Sequence, residues 1–511
     1  MSRVARNLTI GSSLRVLTQL VAAGAAFVLM PYFVHSVGDR DYGLWSVVGS
    51  FGMYWALLDF GFGTAIIRHL SRALGAGDKE QCQRLFAASL VVFSGAAGLI
   101  LLAGGAALFL APLFCRTPEE IAVFRRLVPV CALNVALLVW FRAFIAALNA
   151  DLRYDCTAAL DLLTVLMRSA TMVFAVASGF GVLGMAWGST LGALPSMLLS
   201  VWVARRKLPF ARFRRARIRM AEVRSLASYS VFALMGQAAD IFRFQLDAPL
   251  VGWLFGAAAV THYRLAGTLA SYALDTVASA IGVFQPLFSR QEGRHDPEAI
   301  RRTYFFATKL SLSVATFVGF GLIAWGKPFL LRWMGPRYLD AYPCLVLLAV
   351  ACTMTLWQVP SVNLLYGISR HRWYAAFNWV EGLSNLALSI FFARRFGLVG
   401  VAMGTVIPVF VMRLVVQPLY TCSVAGIRYG DYLRHAGQAL GAALAALVLP
   451  LVVTLYFAAP AYPSLVLVGA VSALCYAVLQ WSLAFTAGER AMLLSAMRRG
   501  RGAASATGGA A

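Results

Sequence analysis

LVVFSGAAGLILLAGGAALFLAPLF, residues 90–114, contains no charged side chain from end to end. Coiled as an α-helix at about 1.5 Å per residue it extends roughly 37 Å, more than the ~30 Å hydrocarbon layer of a bilayer. A chain crossing hydrocarbon must satisfy its own backbone polar groups, so a crossing run of this kind is helical. LGAALAALVLPLVVTLYFAAP at 440–460 reads the same way, and comparable runs recur along the whole chain. With 60% hydrophobic and 13% charged residues in 511, and a mean hydropathy of +0.75, the composition excludes an ordinary soluble domain. The expected fold is an all-α integral membrane bundle of about 14 spans, from 10–35 to 462–486. The first hydrophobic segment leads into further spans and is expected to be a retained helix, not a cleaved signal.

The net charge of +23 invites a nucleic-acid reading. The distribution of the charge argues against it. With the N-terminus cytoplasmic, roughly 28 of the 44 Lys and Arg residues fall in cytoplasmic segments and roughly nine in outer ones, the bias of the positive-inside rule. The densest stretch, RRKLPFARFRRARIRMAEVR at 205–224, is expected to anchor topology beside anionic lipid. Both termini are then cytoplasmic, and the tail 498–511 is expected to be disordered.

The chain repeats itself. SRALGAGDKEQCQRLF (71–86) aligns without gaps to SRQEGRHDPEAIRRTY (289–304), an offset of 218. Pro31 and Gly38 match Pro249 and Gly256 at the same offset, and FGVLGMAWG (180–188) matches FGLVGVAMG (396–404) at 216. The expected organisation is a six-helix lobe at 1–204, a basic linker at 205–224, a second six-helix lobe at 225–421 and two further spans within 422–497. Lobes with an even number of spans share one orientation, so a pseudo-two-fold axis along the membrane normal should relate them, with the substrate site between them.

Charges within the spans carry the functional signal. A charged residue at mid-bilayer costs roughly 2.5–3.5 kcal/mol on insertion scales, so it usually faces a hydrated interior. Arg15, Arg142, Arg243 and Arg264 lie in such stretches and together point to a cavity that receives an anion. On the seventh span Gln237, Asp240, Arg243 and Asp247 follow the helical period and share a face. Asp240 and Asp247 either neutralise Arg243 permanently or are freed by an anion to take up H+ or Na+. Arg15 shares a face with Ser12 and Gln19; it and Arg142 either line the cavity or snorkel to the interface, and Asp161 and Arg168, seven apart, are expected to pair. Asn378, Glu381, Asn385 and Ser389 form a stripe explained mainly by inter-helix hydrogen bonds, with a gating or coupling role open to Glu381. Lys309 and Arg413 are expected to snorkel to the interface.

Enzymatic motifs are missing. Gly179, Gly181 and Gly184 spell GxGxxG, but between two membrane helices and not after a strand. LGAGDKE (74–80) lacks the Gly-Lys-Ser/Thr ending of a phosphate-binding loop. The eight cysteines have no CxxC spacing, so no metal site is expected, although Cys115 and Cys344 near outer loops could pair. No cofactor is expected beyond a coupling ion.

MPYFVHSVGDRDYGLWSVVGSFGMYWALLDFGFGTAIIRHLSR (30–72) resembles the start of Wzx-type oligosaccharide flippases of the MOP superfamily, which also holds the MATE exporters and the lipid II flippase. The resemblance is carried by Pro31, by Gly38 followed by Asp41-Tyr42-Gly43-Leu44, by Asp59-Phe60-Gly61, by Phe396-Gly397-Leu398-Val399-Gly400 and by the loop around Asp78 and Glu80. It implies export of an undecaprenyl-pyrophosphate-linked repeat unit across the bacterial inner membrane for O-antigen, capsule or exopolysaccharide. It implies a cavity lined by Arg15, Arg243 and Arg264, with Arg142 outside the usual helix set and Asp59 as a gate or a packing residue. Membrane lipids, and a polysaccharide polymerase and chain-length regulator, are the partners it implies; nucleic acid is not among them. The rivals are a cation-coupled small-molecule antiporter of the MATE type, whose cavity should be acidic, and a peptidoglycan-precursor (lipid II) flippase.

Overall fold

The computed structural model describes residues 3–59, 61–211, 238, 245–456 and 461–490. Among these residues there is no strand, and the chain divides into two compact units, Met1–Arg264 and Leu265–Ala511. The linker expected at 205–224 lies mostly outside the described residues.

In the first unit, α1 (Arg3–Val37) passes through Gly38 into α2 (Asp39–Ala56), and α3 (Phe62–Gly75) starts just after Gly61. Then come α4 (Lys79–Ala107), α5 (Pro118–Ala150), α6 (Tyr154–Ala177), α7 (Gly181–Lys207), α8 (Asp247–Phe255) and the start of α9 (Ala257–Ile281). Helix starts are locally encoded. The Thr117 side chain accepts from Glu120 N at 3.3 Å and Pro118 takes the first helical position, where its missing N–H costs nothing. The closest packing is the α6–α7 hairpin, and α1 lies along α6. Small residues permit the first: a Cβ on Gly188 would stand 2.8 Å from the Thr171 carbonyl oxygen, and Thr171 Oγ1 donates to Gly188 O at 2.6 Å. The start of α9 belongs to this unit because Thr261 Oγ1 donates to Asp39 O at 2.7 Å and the bare Cα of Gly43 admits the Ala257 carbonyl.

The second unit continues α9 and adds α10 (Phe284–Glu292), α11 (Pro297–Ala324), α12 (Tyr342–Trp357), α13 (Val359–Gly367) and α14 (Arg372–Val411). A π-helical turn at Met412–Val416 leads into α15 (Gln417–Ala425), followed by α16 (Tyr429–Tyr456) and α17 (Tyr462–Leu483). Helices α16 and α17 are joined to α11 by polar contacts inside the bundle. Tyr476 Oη donates to Ser313 O at 2.7 Å, Ser313 Oγ to Gln480 Oε1 at 3.0 Å, and Trp325 Nε1, just after α11, to Thr454 Oγ1 at 3.1 Å.

The repeated sequence islands have matching local conformations. Gly38 (φ 85, ψ 159) and Gly256 (φ 88, ψ 174) both break a helix in a region that favours glycine. Asp78 caps α4 by accepting from Gln81 N at 2.8 Å, and Asp296 caps α11 by accepting from Ala299 N at 2.9 Å. Twelve helical stretches are long and apolar enough to cross a membrane among the described residues. The difference from fourteen has two sources. The expected spans 373–394 and 398–421 fall in one stretch, Arg372–Ala425, which reverses at Gly397 (φ 59, ψ −138). Past that bend Ser389 Oγ donates to Val401 O at 3.1 Å, so the two arms run back along each other. The expected seventh span, 225–254, lies mostly outside the described residues.

Candidate functional site

Helices α2, α5, α6 and α7 of the first unit line a half-open cavity of about 490 Å³. Its wall is largely apolar, with Trp45, Met53 and Leu138, and carries the polar groups of Asn134, Arg142, Asp161, Thr164, Arg168, Ser189 and Ser196. Cross-helix hydrogen bonds fix its shape. Asn134 Nδ2 donates to Thr190 Oγ1 at 3.1 Å, and the Thr164 and Ser196 hydroxyls are 2.6 Å apart.

The expected Asp161–Arg168 pair does not form. Seven residues advance a helix by about 10.5 Å, which separates the two charges along α6 although both reach the cavity. Arg168 Nη2 instead donates to Ser189 Oγ on α7 at 2.6 Å. Asp161 lies in the field of Arg15, whose exposed guanidinium stacks 4.9 Å from the centroid of the Tyr154 ring. Gly11 makes that stacking possible, since a Cβ there would lie 2.6 Å from the Tyr154 side chain.

Arg142 also lines the cavity, and it is paired. Its Nη1 donates to Asp59 Oδ2, while Asp59 Oδ1 accepts from Gly61 N at 2.7 Å. The carboxylate is 1% exposed and the arginine side chain 48%, so Asp59, tied to Gly61 N, is a socket holding one face of a half-open guanidinium. Gly63 leaves it room: a Cβ there would meet Arg142 Nε at 3.2 Å.

On the expected seventh span, Gln237, Asp240 and Arg243 lie outside the described residues. Asp247 opens α8 and accepts from Tyr263 Oη at 2.7 Å. Arg264 is exposed on α9, and His262 Nε2 lies 3.8 Å from Asp39 Oδ2.

In the second unit the polar stripe on α14 is a buried network. Arg413 Nη2 stands 2.8 Å from Glu381 Oε2, with both side chains 2% exposed. Arg413 also donates to Asn378 Oδ1 at 3.0 Å and to Gln417 Oε1, and its guanidinium lies over the Tyr374 ring. Gln417 Nε2 donates to Gln358 O, and Gln358 Nε2 donates to Tyr432 Oη at 2.9 Å. Snorkelling is therefore corrected for Arg413, which lies in the π turn at Met412–Val416 with its charge buried against Glu381. Lys309 Nζ donates to both Glu489 oxygens at 2.9 Å, so its charge reaches a carboxylate past the end of α17 and is paired there. Burial raises the Glu489 carboxyl, but the Lys309 bond and the Thr486 donors outweigh it and leave the group below the usual carboxylate range.

The sequence held a signal for the Glu381–Arg413 pair. A membrane-depth glutamate without a basic residue three or four positions away on its own helix needs a cation from another. Among the described residues no group of three or more His, Cys, Asp or Glu could hold a metal ion. All eight cysteines are free thiols, and burial pushes the Cys115 thiol up to about 12.

A family model described as "Polysaccharide biosynthesis protein" matches residues 37–343. An uncharacterized membrane protein of Bacillus subtilis, EpsK, is 20% identical over 500 residues, covering 97% of this chain and 99% of that protein. Among solved structures, the lipid II flippase MurJ in an inward closed conformation aligns with a TM-score of 0.72 at 13% identity, covering 93% of this chain and 99% of that one. An inward-facing multidrug resistance MATE family transporter of the MOP superfamily aligns with a TM-score of 0.69 at 14% identity, over 82% and 98%. At such identities these two alignments establish a shared fold.

Proposed function

This chain belongs to the polysaccharide biosynthesis protein family, and on that premise we propose that it is a flippase. In this reading it moves an undecaprenyl-pyrophosphate-linked oligosaccharide repeat unit from the cytoplasmic to the periplasmic leaflet by alternating access. The fold is that of proteins that move molecules and do not convert them, MurJ and the MATE transporter. The observation that carries the reading is a largely apolar cavity between apolar helices that carries two guanidinium groups and several hydroxyls, in a chain of this family.

Physical chemistry makes the cargo demanding. Each unpaired hydroxyl taken into hydrocarbon costs roughly 4–8 kcal/mol on a cyclohexane scale, so even a short glycan faces a barrier of tens of kcal/mol. A polar passage removes most of that barrier while the lipid tail stays in the bilayer. Guanidinium groups grip phosphate through a planar fork, which gives Arg15, Arg142, Arg243 and Arg264 their proposed role on the pyrophosphate. Asp59 acts as a gate by holding Arg142 until an anion competes for it. Asp240 and Asp247 are the proposed carriers of a coupling H+ or Na+. Glu381, held by Arg413, is a brace in this reading and not a free coupling carboxylate. The chain would work in a bacterial inner membrane with both termini cytoplasmic, handing its cargo to a polymerase and chain-length regulator.

The test is complementation. A strain lacking this chain should regain surface polysaccharide with the wild-type protein and not with Arg142→Ala at equal membrane abundance. Full restoration by Arg142→Ala would remove that residue from the cargo path.

A further inference from the structure

We infer that Arg168, with the Ser189 hydroxyl, forms a phosphate-binding subsite inside the first unit's cavity, separate from the arginines assigned above. The charges around the cavity single it out. Arg142 is neutralised by Asp59, and Asp161 lies in the field of Arg15. Arg168 has a neutral partner, the Ser189 hydroxyl at 2.6 Å. A guanidinium carries five N–H donors, so one such bond leaves most of its capacity unused on a residue that lines the cavity.

Position excludes escape to the interface. Arg168 is fourteen residues from the start of α6 and nine from its end, roughly 21 and 14 Å along the axis, beyond the reach of an arginine stem. The backbone beneath it is also fixed. A Cβ on Gly192 would stand 2.7 Å from Arg168 Cα, and Thr171, one turn on, is tied to Gly188 O. Close packing of α7 thus sets the backbone from which the guanidinium projects, the preorganisation an ion site requires. On the same wall the Thr164 and Ser196 hydroxyls already donate to the Leu160 and Ala193 carbonyls at 2.8 and 2.9 Å, so the donors left for an oxyanion are those of Arg168 and Ser189.

The fork of donors and the Ser189 hydroxyl beside it suit a phosphate or pyrophosphate oxygen pair. The phosphate could belong to a lipid-linked group or be free in solution. The assignment rests on the export reading for what the phosphate is attached to, and binding is measured without export so that the two can fail separately.

The experiment uses purified full-length protein in detergent, titrated with farnesyl pyrophosphate, inorganic pyrophosphate and farnesol by calorimetry. Wild type should bind farnesyl pyrophosphate, and Arg168→Gln should weaken that binding roughly 10- to 100-fold, the worth of a charge-assisted hydrogen bond pair. Arg168→Lys, which keeps the charge and loses the fork, should fall between them. Ser189→Ala should weaken binding severalfold, and Arg125→Gln, exposed on α5 outside the cavity wall, should match wild type. Equal binding of inorganic pyrophosphate identifies a site for the free anion; binding of farnesyl pyrophosphate alone identifies a lipid-linked one, and both support the subsite. If Arg168→Gln does not purify folded, Arg168→Lys and Ser189→Ala decide. The inference is overturned if wild type binds neither phosphate, if farnesol binds as tightly as its pyrophosphate, or if the Arg168 and Ser189 variants bind like wild type. In that last case, wild-type export would leave the flippase reading standing without this subsite.

Discussion

Replacing Glu381 by Leu should destabilise the protein by about 3–5 kcal/mol, the cost of stranding one charge of a buried pair. The structure sets the size of the effect. Both partners are 2% exposed and stand 2.8 Å apart, so water cannot solvate Arg413 once the carboxylate is gone. Asn378 and Gln417 remain as neutral acceptors, which places the loss toward the lower end of that range. Arg413→Met should cost a similar amount. The double variant Glu381→Leu/Arg413→Met should recover most of the loss, because apolar groups of similar volume often replace a buried pair without net cost. The assay is thermal unfolding of the four proteins in one detergent, read as a double-mutant cycle, with surface polysaccharide measured alongside. A double variant no more stable than the weaker single one would refute the pairing energetics. A stable double variant that fails to export would return Glu381 to a coupling role.

Further outcomes follow from other contacts. Arg142→Gln should cost about 1–3 kcal/mol by leaving Asp59 in its socket without a cation, discounted because the arginine is half exposed; chemical denaturation checks this. Arg243→Ala should abolish export of the lipid-linked glycan while the protein still inserts, and normal surface polysaccharide in that variant would remove the residue from the cargo path. The depressed Glu489 carboxyl contributes stability that is fully present above the ordinary carboxylate pKa and is lost as pH falls through its lower folded value. Glu489→Gln should therefore flatten the acid side of a melting-temperature profile; an unchanged profile would contradict the Lys309 bond.

The helices were legible because hydrocarbon leaves a crossing chain one economical structure, so apolar run length alone located them. The turns were legible as well. Gly38, Gly256, Asp78 and Asp296 act through their immediate neighbours, and their spacing recurs in the sequence. Side-chain partners were another matter. The polar stripe from Asn378 to Ser389 shares one helix face and was readable, but its cation Arg413 comes from beyond the Gly397 reversal and sits in a π turn that no composition rule marks. Lys309 finds Glu489, and Arg142 finds Asp59, across long loops of chain. Asp161 and Arg168 show the opposite failure. Helical spacing put them on one side of α6, and the rise along the axis kept them apart. Periodicity along a span gives the face and not the partner.

Reconstitution tests the central claim most directly. Purified protein in sealed proteoliposomes carrying an undecaprenyl-pyrophosphate-linked oligosaccharide on both leaflets is probed with a membrane-impermeant glycan-modifying enzyme. The flippase account predicts that nearly all of the glycan becomes accessible when the protein is present and about half when it is absent, or when Arg142→Ala replaces it. Accessibility that stays at half with active wild-type protein, under imposed proton and sodium gradients of either sign, would contradict it.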